Sequence, residues 1–101
     1  MDSLSDLING EIYRYDFDLL SHCLYIYLKK NEQNKPALYK LKLRGVKEIV
    51  HKNNMDIPWG SAILTDLSYK EKEALEIHLS INKECYISIT CKDIRYKGIG
   101  S

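Results

Sequence analysis

The sequence predicts a mainly β protein: a single-domain antiparallel meander curled into a small barrel or sandwich, with at most one or two short helical turns. Two neighbouring segments carry most of this prediction. Apolar and polar residues alternate from Leu75 to Ile81 and again from Cys85 to Cys91, with three residues between the two runs. Because side chains of a strand point alternately to opposite faces, each run offers one face to a core and one to solvent.

Length and composition indicate one globular domain covering residues 1–101. Of the 101 residues, 45% are hydrophobic and 29% are charged. A chain of this size buries roughly 60–70% of its unfolded surface, which is enough for a core. The 15 Lys and Arg residues nearly balance the 14 Asp and Glu residues, giving a formal charge of +1. This balance argues against non-specific binding to nucleic acid or to anionic membranes, since such binding depends on a basic excess.

The chain carries no recognisable targeting or membrane signal. Its first residues are acidic and lack the basic start and apolar stretch of a signal peptide. No apolar run approaches the ~20 residues that cross a bilayer. Three cysteines, an odd number, do not indicate a disulfide framework. We therefore expect a cytoplasmic protein with no membrane association.

The first half of the chain predicts a short N-terminal helix followed by four strands. Leu4, Leu7 and Ile8 form the apolar side of the helix. The strands are Glu11–Phe17, Cys23–Lys30, Leu38–Arg44 and Val46–His51. In the first strand, the alternation places Tyr13, Tyr15 and Phe17 on one face. A turn is expected at residues 18–22, a polar loop at 31–36, and a bulge or kink at Gly45.

The second half predicts a loop, a short strand, one helical turn and three further strands. The loop covers residues 52–60 and contains Trp59, the only tryptophan. Ile63 to Leu67 is the short strand. Ser68 followed three residues later by Glu71 matches a capping box, which predicts a helical turn. After the two alternating strands, Ile94 and Tyr96 indicate a last edge strand.

The parity of the loops predicts which residues pair across the strands. A three-residue loop after Ile81 sets Leu79 opposite Ile87 and Ile77 opposite Ile89, so that both strands turn their apolar faces the same way. A one-residue slip would mix the faces, which a half-buried sheet resists. The same argument gives three further pairs: Leu28 with Tyr39, Ile26 with Leu41, and Leu24 with Leu43.

No catalytic, metal or cofactor site emerges from the sequence. The histidines at 22, 51 and 78 lie in no catalytic motif, and no close Cys or His spacing suits a metal. The five glycines are scattered, so no phosphate-binding loop is present. Cys85 and Cys91 fall on the core side of their strand, whereas His78 falls on the opposite face of its neighbour. Cys23 falls on the outer side and is expected to be partly exposed.

The outer face of the first sheet is the candidate binding surface. Its strands place Arg14, Tyr27 and Lys40 in one cross-strand row. Asp16, Tyr25 and Lys42 form the next row, with Arg44 beside Cys23. Tyrosines flanked by Lys and Arg can stack nucleic-acid bases, contact an acidic protein, or pack across the strands with no binding role.

Trp59 is the other candidate for a contact residue. It is either an exposed anchor for a partner or a lid over one end of the fold.

Several segments, in order along the chain, resemble small bacterial immunity-type proteins of the YxiG-like and similar families, which are encoded beside polymorphic toxins. These segments are Asn9–Ile12, Tyr25–Leu28, Tyr39–Leu43, Pro58–Ser61, Leu64–Leu67 and Ile87–Ile94. The resemblance implies a cytoplasmic protein that is not an enzyme and that occludes one cognate toxin. The residues predicted to contact the partner are Tyr25, Tyr27, Lys40, Lys42, Arg44 and Trp59.

Two other functions fit the same pattern. One is a β-barrel that binds single-stranded nucleic acid through the rows of Tyr and Lys. The other is a self-associating module that pairs the edge from Ile94 to Ile99 with a second copy.

Overall fold

The computed structural model describes residues 4–53 and 60–100, which form two four-stranded antiparallel sheets after one 3₁₀ turn, Leu4–Leu7. The strands are β1 (Glu11–Asp18), β2 (Cys23–Glu32), β3 (Lys35–Arg44), β4 (Glu48–Asn53), β5 (Leu64–Glu71), β6 (Leu75–Ile81), β7 (Cys85–Cys91) and β8 (Asp93–Gly100). The predicted mainly β fold is confirmed, and it is a sandwich of two sheets rather than a closed barrel.

Each sheet combines a three-strand meander with one strand from the other half of the chain. The first sheet has the order β1-β2-β3-β8, and the second sheet has the order β4-β7-β6-β5. After β3 the chain therefore crosses to the second sheet and β4 pairs with β7. After β7 it crosses back, and β8 pairs with β3.

The two crossings touch each other, and Gly45 makes this contact possible. The Lys92 N–H donates to the Arg44 carbonyl at 2.9 Å, and the Lys47 N–H donates to the Thr90 carbonyl at 2.8 Å. Gly45 adopts a left-handed backbone with φ of 63°, which glycine tolerates without the steric cost that a Cβ brings. The kink predicted at Gly45 is confirmed, and it directs β4 into the second sheet.

The core lies between the sheets and consists of the inward residues predicted from the alternation. Every cross-strand pair predicted from loop parity is present. The buried cluster also includes Leu4 and Leu7 of the 3₁₀ turn. From the central strands it contains Leu24, Ile26, Leu28, Leu41, Leu43, Ile77, Leu79, Ile81, Ile87 and Ile89.

The prediction that Tyr13, Tyr15 and Phe17 share a face is wrong, because β1 contains a bulge. Ile12 pairs with Leu28, but the next pair is Arg14 with Tyr27, so Tyr13 is the extra residue. An inserted residue reverses the alternation beyond it. Tyr13 consequently lies beside the ring of Tyr27, with centroids 6.0 Å apart, while Tyr15 packs against the core.

Two local predictions differ from the structure, because the strands pair over more residues than the local sequence indicates. The helical turn predicted at Ser68 is absent, because β5 continues to Glu71 and pairs with β6 along its length. The cross-strand hydrogen bonds of β5 contribute more stability than a capping box, which would stabilise only one helical turn. The polar loop predicted at 31–36 shrinks to a two-residue turn. Gln33 and Asn34 have φ of 50° and 66°, a combination that matches the twist of a hairpin.

Membrane-spanning helices and the role of Trp59 are the two remaining features that the sequence raised. In the part of the chain that the structure describes, no helix has the length and apolar character needed to span a bilayer. The predicted roles of Trp59, as lid or anchor, fall outside the described residues.

Candidate binding surface

The outer face of the first sheet carries the two predicted rows. Arg14 pairs with Tyr27, which pairs with Lys40. One step along the strands, Asp16 pairs with Tyr25, and Tyr25 pairs with Lys42. Both tyrosines lie on β2, a central strand, so the sheet holds their backbone on both sides.

Strand β8 extends both rows with cations that sequence reasoning missed. Lys97 pairs with Lys40, and Arg95 pairs with Lys42. The alternation around Tyr96 already indicated that these two side chains point away from the core. It did not indicate that β8 lies beside β3. We call the surface formed by the two extended rows the Tyr–Lys face; its residues are Arg14, Asp16, Tyr25, Tyr27, Lys40, Lys42, Arg95 and Lys97.

Cations lie over both tyrosine rings of the Tyr–Lys face. The Lys40 Nζ is 4.8 Å from the centroid of Tyr25 and 5.7 Å from that of Tyr27. The Lys42 Nζ is 5.8 Å from Tyr25, and the Arg14 guanidinium carbon is 5.5 Å from Tyr27. Each such contact contributes about 0.5–1 kcal/mol at an exposed site. The rings therefore favour positions of the ammonium groups close to the sheet.

The face carries an excess of positive charge although the whole chain is nearly neutral. Among the described residues, ion pairs with carboxylates involve Arg14 with Asp16, Arg44 with Asp93, and His78 with Glu76. The remaining cations of the face take part in none of these pairs. A depression of about 340 Å³ lies among them. It is lined by Lys40, Lys42, Arg95, Tyr96 and Lys97.

Arg44 lies at the border of the Tyr–Lys face and is already engaged. Its Nη2 and Nε donate to the Asp93 carboxylate at 2.6 and 3.0 Å. The hydrogen bond from Arg44 holds the pKa of Asp93 below its ordinary value, and the same bond raises the pKa of Arg44. This ion pair joins β3 to β8, so Arg44 fixes the border of the face with its charge largely neutralised.

The expectation that Cys23 is a partly exposed thiol is wrong. Its exposed fraction is 7% although it lies on the outer side of β2. The β1–β2 turn folds over it, since the Cys23 thiol donates to the Ser21 carbonyl at 3.6 Å. Tyr25 and Arg44 are its electrostatic neighbours on the same face. The predicted core positions of Cys85 and Cys91 are confirmed, and all three thiols are free and buried.

Burial keeps Cys91 in the protonated state. Desolvation, assisted by the charge of Asp93, raises the pKa of its thiol from 9.0 to about 11. The neutral thiol stabilises the fold below about pH 9, and this contribution is lost as the pH rises through about 11. The thiolate is the reactive form, so Cys91 is the opposite of an activated nucleophile.

We expect native Cys91 to react with iodoacetamide at pH 8 at least ~100-fold more slowly than in the unfolded chain, because two pKa units lower the thiolate fraction about a hundredfold. Peptide mapping by mass spectrometry measures the rate, and the chain in denaturant is the control. Equal modification in both states would contradict the assigned burial.

A histidine and a serine, His78 and Ser88, form a side-chain contact across two strands of the second sheet. The His78 Nδ1 lies 3.1 Å from the Ser88 Oγ, and its Nε2 lies 3.9 Å from a Glu76 oxygen. A base beside a hydroxyl is one part of a nucleophilic site. Acyl transfer also needs N–H donors for the oxyanion, and the backbone N–H groups of the central strands β6 and β7 are directed into the ladder. We assign the contact to cross-strand stabilisation of the sheet.

A second histidine joins the two sheets. Tyr15 on β1 and His51 on β4 belong to different sheets, and the Tyr15 hydroxyl lies 3.0 Å from the His51 Nε2. Burial, followed by the proximity of Cys85, raises the pKa of Tyr15. The hydrogen bond links an edge strand of one sheet to an edge strand of the other.

Residues 4–53 and 60–100 contain no group of three or more His, Cys, Asp or Glu side chains that could hold a metal ion. No protein-family model matches the chain, and no curated protein is significantly similar to it. The Tyr–Lys face and its surroundings are therefore the basis for inferring a function.

Proposed function

We propose that this chain is a non-catalytic binding protein of the immunity type, which acts in the cytoplasm and neutralises a cognate bacterial toxin by covering its active site. The Tyr–Lys face would make the contact. The observation that supports this proposal is the set of four cations, Lys40, Lys42, Arg95 and Lys97, that form no ion pair within 4.0 Å with a described carboxylate. An acidic protein surface is the complement of such a face.

The arrangement of the rings favours a protein partner over single-stranded nucleic acid. A base stacks on the open face of an aromatic ring. Here Lys40 and Lys42 lie over Tyr25, and Lys40 and Arg14 lie over Tyr27. A base would have to displace these cations, whereas a carboxylate binds them where they are.

Occlusion requires a rigid surface, and the sheet provides one. The face is built on two central strands and two edge strands, with Arg44 and Asp93 joining β3 to β8. Ordering the lysines on the rings before binding reduces the side-chain entropy lost on association. The charges would steer the encounter and raise the association rate, while buried contacts would set the dissociation rate.

Reversing two charges of the face tests the proposal. We expect the double variant Lys40→Glu, Lys42→Glu to bind the protein encoded by the adjacent gene at least ~100-fold more weakly, since opposed charges at an interface cost several kcal/mol. Titration calorimetry measures the affinity, and rescue of growth on co-expression of the toxin measures neutralisation. Circular dichroism verifies that the variant is folded.

The double variant Lys52→Glu, Lys70→Glu is the matched control, because it changes the net charge equally on the second sheet. It should bind like the wild type. Equal affinity of both double variants would refute the role of the face. Affinity for a single-stranded oligonucleotide that falls steeply with salt would replace the protein partner by a nucleic acid.

A further inference from the structure

The turn between β1 and β2 presents two leucines to solvent beside the Tyr–Lys face. The exposed fractions of Leu19 and Leu20 are 71% and 93%. Burying one such side chain contributes about 1.5–3 kcal/mol, so leaving both in water forgoes a sizeable stabilisation. A single exposed leucine is ordinary, but two adjacent ones at the tip of a hairpin form an apolar projection. We call these two residues the leucine tip.

The leucine tip is held in place rather than loose. The Asp18 carboxylate accepts hydrogen bonds from the backbone N–H of Leu20 at 3.0 Å and of Ser21 at 3.4 Å. At the end of the turn, the His22 carbonyl accepts the Val46 N–H at 2.9 Å. These bonds tie both ends of the turn to the sandwich. The leucines are therefore presented by a fixed backbone, which is the condition for an anchor that loses little entropy on binding.

The leucine tip and the Tyr–Lys face meet at a corner of the molecule. The turn ends at Cys23, and Tyr25 lies two residues further along β2. Successive rows along a strand are separated by about 7 Å. The turn projects along the strands, whereas the face looks out perpendicular to the sheet. One partner can therefore touch both surfaces only if it wraps around this corner.

The Tyr–Lys face lacks an apolar centre of its own. Its rows present charged groups, and cations lie over both of its tyrosine rings. The centres of interfaces are more apolar than their rims. The leucine tip, at the corner beside the face, would supply the apolar contact.

We propose that the leucine tip inserts into an apolar socket within a cleft of the partner protein, while the Tyr–Lys face lies along an acidic wall of the same cleft. This inference rests on the proposed function and specifies its partner: a protein whose cleft has an apolar floor and carboxylates on one side. The corner would then enter the cleft as a wedge, and entry of the corner would exclude substrate.

The corner geometry favours a concave protein over an anionic membrane. A flat bilayer that takes up the leucine tip lies perpendicular to the strands. The rows at Tyr25 and Tyr27 would then recede from the headgroups in steps of about 7 Å. Screening reduces the attraction between separated charges over about 8–10 Å. A cleft wall, in contrast, runs parallel to the face and contacts both rows.

The test compares the kinetics of two variants with the protein encoded by the adjacent gene. Leu19→Ser, Leu20→Ser should weaken binding about 30-fold or more, mainly through faster dissociation, because it removes apolar burial. Lys40→Glu, Lys42→Glu should act mainly on association and on its salt dependence. Surface plasmon resonance separates the two rates. Val50→Ser, an exposed apolar residue of the second sheet, is the matched control and should bind like the wild type.

Each other outcome has a distinct meaning. If the leucine variant binds like the wild type while the charge variant does not, the wedge is refuted and the proposed function stands. If the wild type does not bind the adjacent gene product, the proposed function fails and the wedge fails with it. If vesicles of phosphatidylcholine and phosphatidylserine bind the wild type but not the leucine variant, the occupant is a membrane and the proposal is overturned.

Discussion

Ile77→Ala is expected to lower the free energy of unfolding by about 2–5 kcal/mol, a large part of the total of roughly 5–15 kcal/mol of a domain this size. Ile77 has an exposed fraction of 0% and lies on the central strand β6. It pairs with Ile89 on one side and Tyr69 on the other. Strands held on both sides cannot move in to fill the space, so a cavity remains and its cost adds to the lost burial.

Thermal or denaturant unfolding followed by circular dichroism measures this effect, which corresponds to a fall in the midpoint of roughly 10–30 °C. Ile99→Ala is the matched control, because the same side chain on the edge strand β8 has an exposed fraction of 38%. We expect it to cost about 1–2 kcal/mol, because the side chain is only partly buried and the edge can relax. Similar losses for the two variants would show that the core does not lie between the sheets as described.

Gly45→Ala should destabilise the protein by about 1.5–3.5 kcal/mol, for two separate reasons. The left-handed backbone at this position costs about 1–2 kcal/mol for any residue with a Cβ. In addition, the new Cβ would lie 2.6 Å from the Lys92 Cγ and 2.8 Å from its Cδ, closer than carbon atoms approach. Because Lys92 is exposed, its side chain can shift away, at a further cost of about 0.5–1.5 kcal/mol if it leaves its preferred rotamer.

Gly60→Ala provides the matched glycine control. A Cβ at Gly60 would meet nothing within 4 Å. We expect a change within about 1 kcal/mol, since the substitution only restricts the unfolded chain. Chemical denaturation of both variants measures the difference. A Gly45→Ala protein as stable as the wild type would contradict the contact between the two crossings.

Much of the candidate binding surface could be predicted from the sequence, because the rows of the Tyr–Lys face depend on local side-chain alternation. The rows containing Tyr25 and Tyr27 follow from alternation along β2 and from the pairing of β2 with β3. Both are set by short stretches of chain and the turn between them. The cations Arg95 and Lys97 could not be placed in the same way. Their strand follows β7 in sequence, yet it pairs with β3 more than 50 residues away.

Packing also determines how deeply individual residues of the first sheet are buried and which face they lie on. Cys23 lies on the outer parity that the alternation gives it, but its burial comes from a turn and from long neighbours that cover it. The bulge at Tyr13 reverses the alternation within a strand whose position the sequence does predict. Neither effect has a signal in the residues themselves, because both depend on what the opposite strand and the next turn supply.

The sequence by itself determined that the protein is built from antiparallel strands, which faces of most of those strands are apolar, and how β2 pairs with β3 and β6 with β7. Side-chain alternation and loop length settle these features locally. Only the tertiary structure decided that β4 and β8 exchange sheets and that Arg95 and Lys97 join the Tyr–Lys face. Those outcomes depend on which strand edges still have unpaired backbone groups once the two meanders have formed, and that competition spans the whole chain.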